Sequence, residues 1–332
     1  MKQQFLLTPL IFCFGLSLAM PGFAIVAEID PLVEQREATA WLKKIQAAAR
    51  NVNYEGTFVY QAANQVGASR ISHIRDGKNN LQKLQNLDGK LREYVWVNEE
   101  VICYIPEARV MVVEKKVNQE ELFGTKLPAN FADQASNYHL RNSEPGRVAG
   151  YNCHGLVLAP KDNLRYGYRL CAELDTGLLL LAQTINERNE VLEQIAFTEL
   201  TIGGIDKARV KPSVANTQGW RVEHVSINQT QAMGWQVKWL PPGFKKVREI
   251  RRKLNESAAA QHQAVQMVFS DGLASISVFV EDATPNRSEI NVQLGARNII
   301  SKRQGESWLT VVGEVPAAAI KQLANSIEYK PK

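Results

Sequence analysis

From Tyr54 onward the chain alternates apolar and polar residues in short runs, the period-two pattern of half-buried strands. The runs are Tyr54 to Gln61, Ser69 to Arg75, Asn80 to Leu87, Lys90 to Asn98, Val101 to Ile105 and Arg109 to Lys116. Turn formers separate them, and Asp76-Gly77 and Asp88-Gly89 are tight-hairpin signals. Residues 119–138 break the pattern and read as helical or irregular around Pro128. Strands resume at Tyr138 to Asn142, Arg147 to Leu158, Leu164 to Leu174, Leu178 to Ile185 and Val191 to Leu200. Ahead of the first strand, Asp30-Pro31 is a cap and first-turn pair. Ala38, Trp41, Leu42, Ile45, Ala48 and Ala49 then recur at helical spacing. The pattern predicts an α+β fold, one large antiparallel half-barrel sheet with helices covering a face.

Residues 206–219 lose the periodicity and read as a linker between a large domain, residues 25–205, and a smaller α+β domain, residues 220–332. The smaller domain has strand-like runs at Gln236 to Leu240, Lys245 to Arg252, Ala264 to Ser270, Ala274 to Glu281, Asn298 to Gln304 and Glu306 to Gly313. Pro316 starts a last helix with Ile320, Leu323, Ala324 and Ile327 on one face. In Trp235 to Phe244, residues Trp235, Val237 and Trp239 share a face until Pro241-Pro242-Gly243 forces a turn.

The amino terminus changes the setting of this fold. Met1-Lys2 precedes an apolar run from Phe5 to Met20 and then Pro21-Gly22-Phe23-Ala24, the form of a secretory signal peptide cleaved after Ala24, so the expected compartment is the periplasm. Cleavage removes one base, Lys2, and the formal charge falls from +5 to +4, too mild for a nucleic-acid binder. In an exported chain, thiols pair. Pro160-Lys161-Asp162-Asn163 reads as a turn, and a three-residue hairpin loop there sets Cys153 opposite Cys171, predicting a disulfide. Cys103, within Val101 to Ile105, reads as a buried free thiol.

No local catalytic or metal-binding motif appears. His73, His139, His154, His224 and His262 are scattered without metal-type spacing, and there is no Gly-x-Ser-x-Gly, phosphate loop, Cys-x-x-Cys or His-Glu-x-x-His. The reading is a non-enzyme without cofactor or metal, although spatial triads leave no local mark.

Three features are suited to binding. Tyr54, Phe58 and Tyr60 share one strand face, and Trp96 shares one with Tyr94; an open half-barrel so lined suits acyl chains, while ordinary core packing explains the same pattern. Lys245, Lys246, Arg248, Arg251, Arg252 and Lys253 put six bases in nine residues, either a solvated strand face or a contact for an acidic peptide or lipopolysaccharide phosphates. Trp220, Trp235, Trp239 and Trp308 are anchors or interface hot spots.

Several short blocks, taken together, resemble the RseB/MucB family of periplasmic sigma-factor regulators. In the large domain they are Asn53-Tyr54-Glu55-Gly56-Thr57-Phe58, Asp88-Gly89 with Arg92-Glu93, and Arg147-Val148-Ala149-Gly150 with Cys153. In the small domain they are Trp235, Trp239-Leu240-Pro241, Gly243-Phe244, Asp271-Gly272-Leu273, Gly295-Ala296-Arg297 and Val312-Gly313-Glu314-Val315-Pro316. The resemblance implies a large domain like the lipoprotein carriers LolA and LolB. It also implies a negative regulator of the envelope stress response that binds the periplasmic part of a membrane anti-sigma factor, RseA or MucA. Such a regulator shields its partner from site-1 proteolysis and is released by lipopolysaccharide or lipoprotein acyl chains; in MucB-type systems the output includes alginate. On that reading Tyr54, Phe58, Tyr60 and Trp96 line the lipid site. Lys245, Lys246, Arg248, Arg251, Arg252, Arg297 and Trp308 face the partner. A lipid or lipoprotein carrier is the rival reading, a cryptic envelope hydrolase is another, and self-association stays open.

Overall fold

The computed structural model describes residues 30–115, 137–225, 234–255, 261–283 and 287–330. The expected signal peptide, and nearly all of the irregular segment 119–138, lie outside them. Helix α1 (Pro31–Asn51) starts where the sequence predicts: the Asp30 carboxylate accepts from the Leu32 N–H at 2.9 Å and Pro31 occupies the first turn. It buries Ala38, Leu42, Ile45 and Ala48, the positions of the helical repeat.

The chain then forms β1 (Tyr54–Ala62), β2 (Gln65–Asp76), β3 (Asn79–Asn86), β4 (Glu93–Val97), β5 (Glu100–Ile105) and β6 (Val110–Lys115). After the break come β7 (Tyr138–Val148), β8 (Tyr151–Pro160), β9 (Gly167–Glu173), β10 (Leu179–Ile185), β11 (Val191–Ile202) and β12 (Arg221–Val225). They make one sheet in the order β12-β6-β5-β4-β3-β2-β1-β11-β10-β9-β8-β7. All pairs are antiparallel except β12, which lies parallel to β6. Residues 221–225, assigned from sequence to the small domain, therefore belong to the large sheet. Tyr60, Ile195, Ala182, Leu170 and Leu156 stand opposite one another in a single cross-strand row on the inner face. There α1 packs Ala38, Leu42 and Ile45 against Leu156, Leu158, Leu170 and Ala172.

Residues 206–219 do not hang free between domains. Asp206 caps a short 3-10 turn, Lys207 to Val210. The segment is pinned to the outer face of the sheet by Lys207 to Asp76 at 2.7 Å, Arg209 to Glu55 at 3.3 Å and the Ser213 N–H to Glu93 at 2.7 Å. The expected linker is a strap, and its polar residues, uninformative as a periodic pattern, are the ones that hold it.

The disulfide between Cys153 and Cys171 is present, with Cα atoms 5.4 Å apart. The expected direct pairing is corrected, however: Cys171 stands opposite Gly155 and Cys153 opposite Glu173. The loop is longer than three residues because Asp162 accepts from the Leu164 N–H and from Arg165, building a turn of its own. A two-residue shift keeps both cysteines on one face, so the thiols still meet as diagonal neighbours.

The small domain comprises β13 (Trp235–Val237), β14 (Lys245–Asn255), β15 (Gln261–Ser270), β16 (Ser275–Asp282), β17 (Ile290–Leu294), β18 (Arg297–Gln304), β19 (Ser307–Gly313), α2 (Ala317–Asn325) and β20 (Ile327–Tyr329). Six strands form a sheet in the order β14-β15-β16-β19-β18-β17, and β13 pairs with β20. Helix α2 packs Ile320 and Leu323 on Met267, Ile276, Val278, Leu309 and Val311, with Trp235, Val237 and Trp239 at the margin. Strand β17 is absent from the sequence reading, which passes from Glu281 directly to Asn298.

Candidate functional site

The two domains meet at a buried charge cluster. Arg165, in the β8–β9 loop, donates from Nη1 to Asp271 Oδ2 at 2.6 Å and from Nη2 to the Pro242 carbonyl at 2.6 Å, while its Nε reaches Asp162 at 3.0 Å. Asp271 also accepts from the Leu273 and Ala274 N–H groups at 3.0 and 2.9 Å, so the β15–β16 turn is shaped by the same carboxylate that holds the guanidinium. Burial raises the Asp271 pKa above its ordinary value, against the lowering effect of these hydrogen bonds and of Arg165. Its two oxygens are held by the Arg165 guanidinium and two backbone N–H groups, which offsets part of the cost of burying it.

Beside this cluster lies a cavity of about 180 Å³. Tyr60, Tyr168, Leu170, Ala182 and Ile195 of the large sheet form its wall, and Leu273, Arg297 and Glu314 of the small domain close it. Its polar end is organised by Glu193, which accepts from the Tyr60 hydroxyl at 3.1 Å and from the Thr184 hydroxyl at 3.3 Å. Arg297 stands between Tyr60 and Glu314, its Nε 3.9 Å from the Glu314 carboxylate. Burial, then the Glu193 charge, raise the Tyr60 pKa, so the phenol stays protonated and donating. The result is an apolar slot with one hydrogen-bonding end, at a seam between two domains.

The residues expected to line a lipid site are dispersed. Tyr60 alone reaches the cavity; Tyr54 and Phe58 are buried with Phe197, Leu178 and Leu180 in a neighbouring core cluster. Trp96 is 2 % exposed and stacks on Tyr94, and among the described residues neither its indole N–H nor the Gln82 Nε2 of the facing strand has a hydrogen-bond partner. Of the residues expected to meet a partner, Lys245 is exposed and Lys246 pairs with Glu249 at 2.7 Å. Arg248 pairs across the domain boundary with Glu114. Arg251 and Arg252 lie in β14 opposite Val265 and Ala264. Trp308 is buried, donates to Ser301 and carries Arg287 over its ring at 5.0 Å, so in this structure it anchors the sheet and offers no ring surface to a partner. Cys103 is free as expected but only half-buried; the burial it has raises its pKa, which keeps the thiolate fraction low. Sequence reasoning missed Arg165, Glu193 and Thr184. Each sits in an ordinary strand or loop and acquires its role only when a distant segment arrives; Asp271 stood out only as part of a resemblance block.

The sequence matches the MucB/RseB N-terminal domain over residues 37–214 and the MucB/RseB C-terminal domain over residues 229–328. The chain belongs to the MucB/RseB family. The sigma factor AlgU regulatory protein MucB of Pseudomonas aeruginosa is 29 % identical over 303 residues, spanning 90 % of this chain and 92 % of its own. The sigma-E factor regulatory protein RseB of Salmonella typhimurium is 28 % identical over 327 residues, spanning 96 % and 98 %. A crystal structure of MucB in complex with MucA(peri) superposes with a TM-score of 0.70 at 28 % identity, covering 89 % of this chain and 100 % of that one. A crystal structure of MucB superposes with a TM-score of 0.64. The MucB/RseB architecture of a large sheet domain followed by a smaller one is thus the architecture seen here.

Proposed function

We propose that this MucB/RseB family member is a periplasmic, non-catalytic regulator that binds the periplasmic segment of a membrane anti-sigma factor and shields it from site-1 proteolysis. Lipid-like ligands release it. The observation that carries this reading is the end-to-end likeness to MucB as crystallised with MucA(peri), which extends through both domains. The named relatives are regulators of sigma factors, which supports a binding role over catalysis.

The interdomain cavity supports the lipid part of the reading. Its walls are apolar and its closing residues come from the other domain, so a ligand that enlarges it acts on the domain seam. At about 180 Å³ it is smaller than the roughly 300 Å³ or more of usual ligand pockets, so an acyl chain enters as the domains part. A ligand favouring the parted form then shifts the protein away from whatever state the partner prefers, by its differential affinity for the two. A simple carrier needs only the half-barrel, and a second domain clamped through Arg165 and Asp271 has no part in that task.

The test is a pull-down of residues 25–332 against the periplasmic segment of the cell's own anti-sigma factor, with and without lipopolysaccharide. Saturable binding reversed by the lipid is expected. Lipid co-purifying with a protein that does not bind the segment would overturn the regulator and favour a carrier.

A further inference from the structure

Strand β17 occupies one edge of the small-domain sheet, and its five residues, Ile290 to Leu294, are all exposed. Ile290, Val292 and Leu294 retain 44 %, 41 % and 55 % of their surface on a single face. Natural edge strands are usually blunted by charge, proline or a bulge, and Ile-Asn-Val-Gln-Leu carries none of these.

The phase of the edge follows from its turn. Gly295, at φ +60°, and Ala296 make a two-residue hairpin turn, with Leu294 opposite Arg297. The residues flanking such a turn exchange both backbone hydrogen bonds, and the pairs alternate along the ladder. Leu294, Val292 and Ile290 therefore direct their N–H and C=O groups to β18, whereas Asn291 and Gln293 direct theirs outward, where no further strand of the sheet lies among the described residues.

The apolar stripe faces away from α2, and so does a set of arginines. Register places Arg248, Val268, Ser277, Val312, Ile299 and Val292 in one row across the six strands on that face. Arg297 and Arg303 lie on it at either end of the stripe, and Arg287 covers Trp308 there. Glu281 pairs with Arg287, Glu314 with Arg297 and Glu114 of the large domain with Arg248, and the Glu289 carboxylate accepts from the Arg303 backbone N–H at 3.2 Å. Among the described residues the Arg303 guanidinium is the one of the four without a carboxylate partner; its Nε donates to the Gly305 carbonyl at 3.0 Å, so the end of the stripe at Ile290 has one cation to offer an incoming carboxylate.

We propose that β17 is a docking edge at which an extended segment of the partner adds a strand, its backbone meeting Asn291 and Gln293, its apolar side chains continuing the Ile290, Val292 and Leu294 stripe and a carboxylate at its end meeting Arg303. This rests on the proposed partner being a periplasmic anti-sigma segment.

Binding of that segment to the full mature chain tests it. Asn291→Pro and Gln293→Pro each remove one outward N–H and leave the β17–β18 ladder intact, since proline is accepted where the N–H faces solvent; the matching alanine variants keep the donor. The proline variants are expected to bind at least tenfold more weakly and the alanine variants within twofold, with Arg303→Glu also weakened. Amide hydrogen exchange on the wild type is expected to show protection at residues 291 and 293 on binding, which decides the matter even where a proline variant misfolds. Folded proline variants that bind like the wild type, or unchanged exchange at both amides, would overturn the docking edge alone. A wild type that does not bind the segment overturns the proposed function, and the edge with it.

Discussion

Arg165 and Asp271 form an ion pair at 2.6 Å in which both side chains are fully shielded from solvent and each belongs to a different domain. Removing Arg165 leaves the Asp271 carboxyl buried without its cation, whereas removing Asp271 leaves Arg165 its pair with Asp162 at 3.0 Å. Arg165→Ala is expected to cost about 3–5 kcal/mol of stability. Replacing both by apolar residues, Arg165→Met with Asp271→Leu, is expected to cost less than Arg165→Ala alone, because the one carboxylate left behind, Asp162, reaches solvent. Chemical denaturation of the three proteins checks both statements.

His73 carries a pH dependence of a definite sign. Burial lowers its pKa below the ordinary 6.5, while hydrogen bonds to the Val52 carbonyl and the Asn80 side chain oppose the shift. A depressed folded value means that the stability it contributes is fully present above 6.5 and is lost as pH falls from there through the folded value. Melting temperature is expected to decline over that window, and His73→Gln to flatten the decline. Equal slopes for the two proteins would refute the assignment.

The Cys153–Cys171 bridge spans a sequence separation of 18 residues. On the chain-entropy account, closing such a loop stabilises by about 3 kcal/mol. Cys153→Ala with Cys171→Ala is expected to lower unfolding free energy by that order while keeping the fold, since β8 and β9 remain paired through four residue pairs that contain neither cysteine. Cys103 is expected to stay unmodified by thiol reagents at neutral pH.

Filling the interdomain cavity separates lipid release from partner binding. Ala182 stands in the wall, and Ala182→Phe places a ring in the slot. The variant is expected to bind the anti-sigma segment like the wild type but to resist release by lipopolysaccharide at least tenfold more strongly. Release at the wild-type lipid concentration would place the lipid elsewhere, with Trp96 and Gln82 as the next residues to vary.

Much of the fold was legible because most strands, though not β12 or β17, announce themselves locally. The α1 cap at Asp30, the hairpin at Asp76-Gly77 and the alternation of Tyr54, Phe58 and Tyr60 are short-range signals, and the structure places each on its expected element. What was illegible depends on segments far apart in sequence. Nothing around Arg221 shows that it pairs with Val110, and nothing around Glu193 shows that Tyr60 and Thr184 converge on it. Aromatic richness also misled in part: the periodicity that puts Tyr54, Phe58 and Tyr60 on one face cannot say where core ends and cavity begins, and only Tyr60 crosses that boundary.

The strap and the strand it delivers set the order in which this chain can be completed. Among the described residues, five further strands of the same sheet lie between Val110 and its parallel neighbour Arg221. During synthesis and folding β6 therefore waits with one edge open until the last segment of the large domain arrives, and a long-range parallel closure of this kind is slow. The interval is the molecule's most exposed moment to wrong pairing, with itself or with other chains, and it ends only when the strap is laid across the back of the sheet.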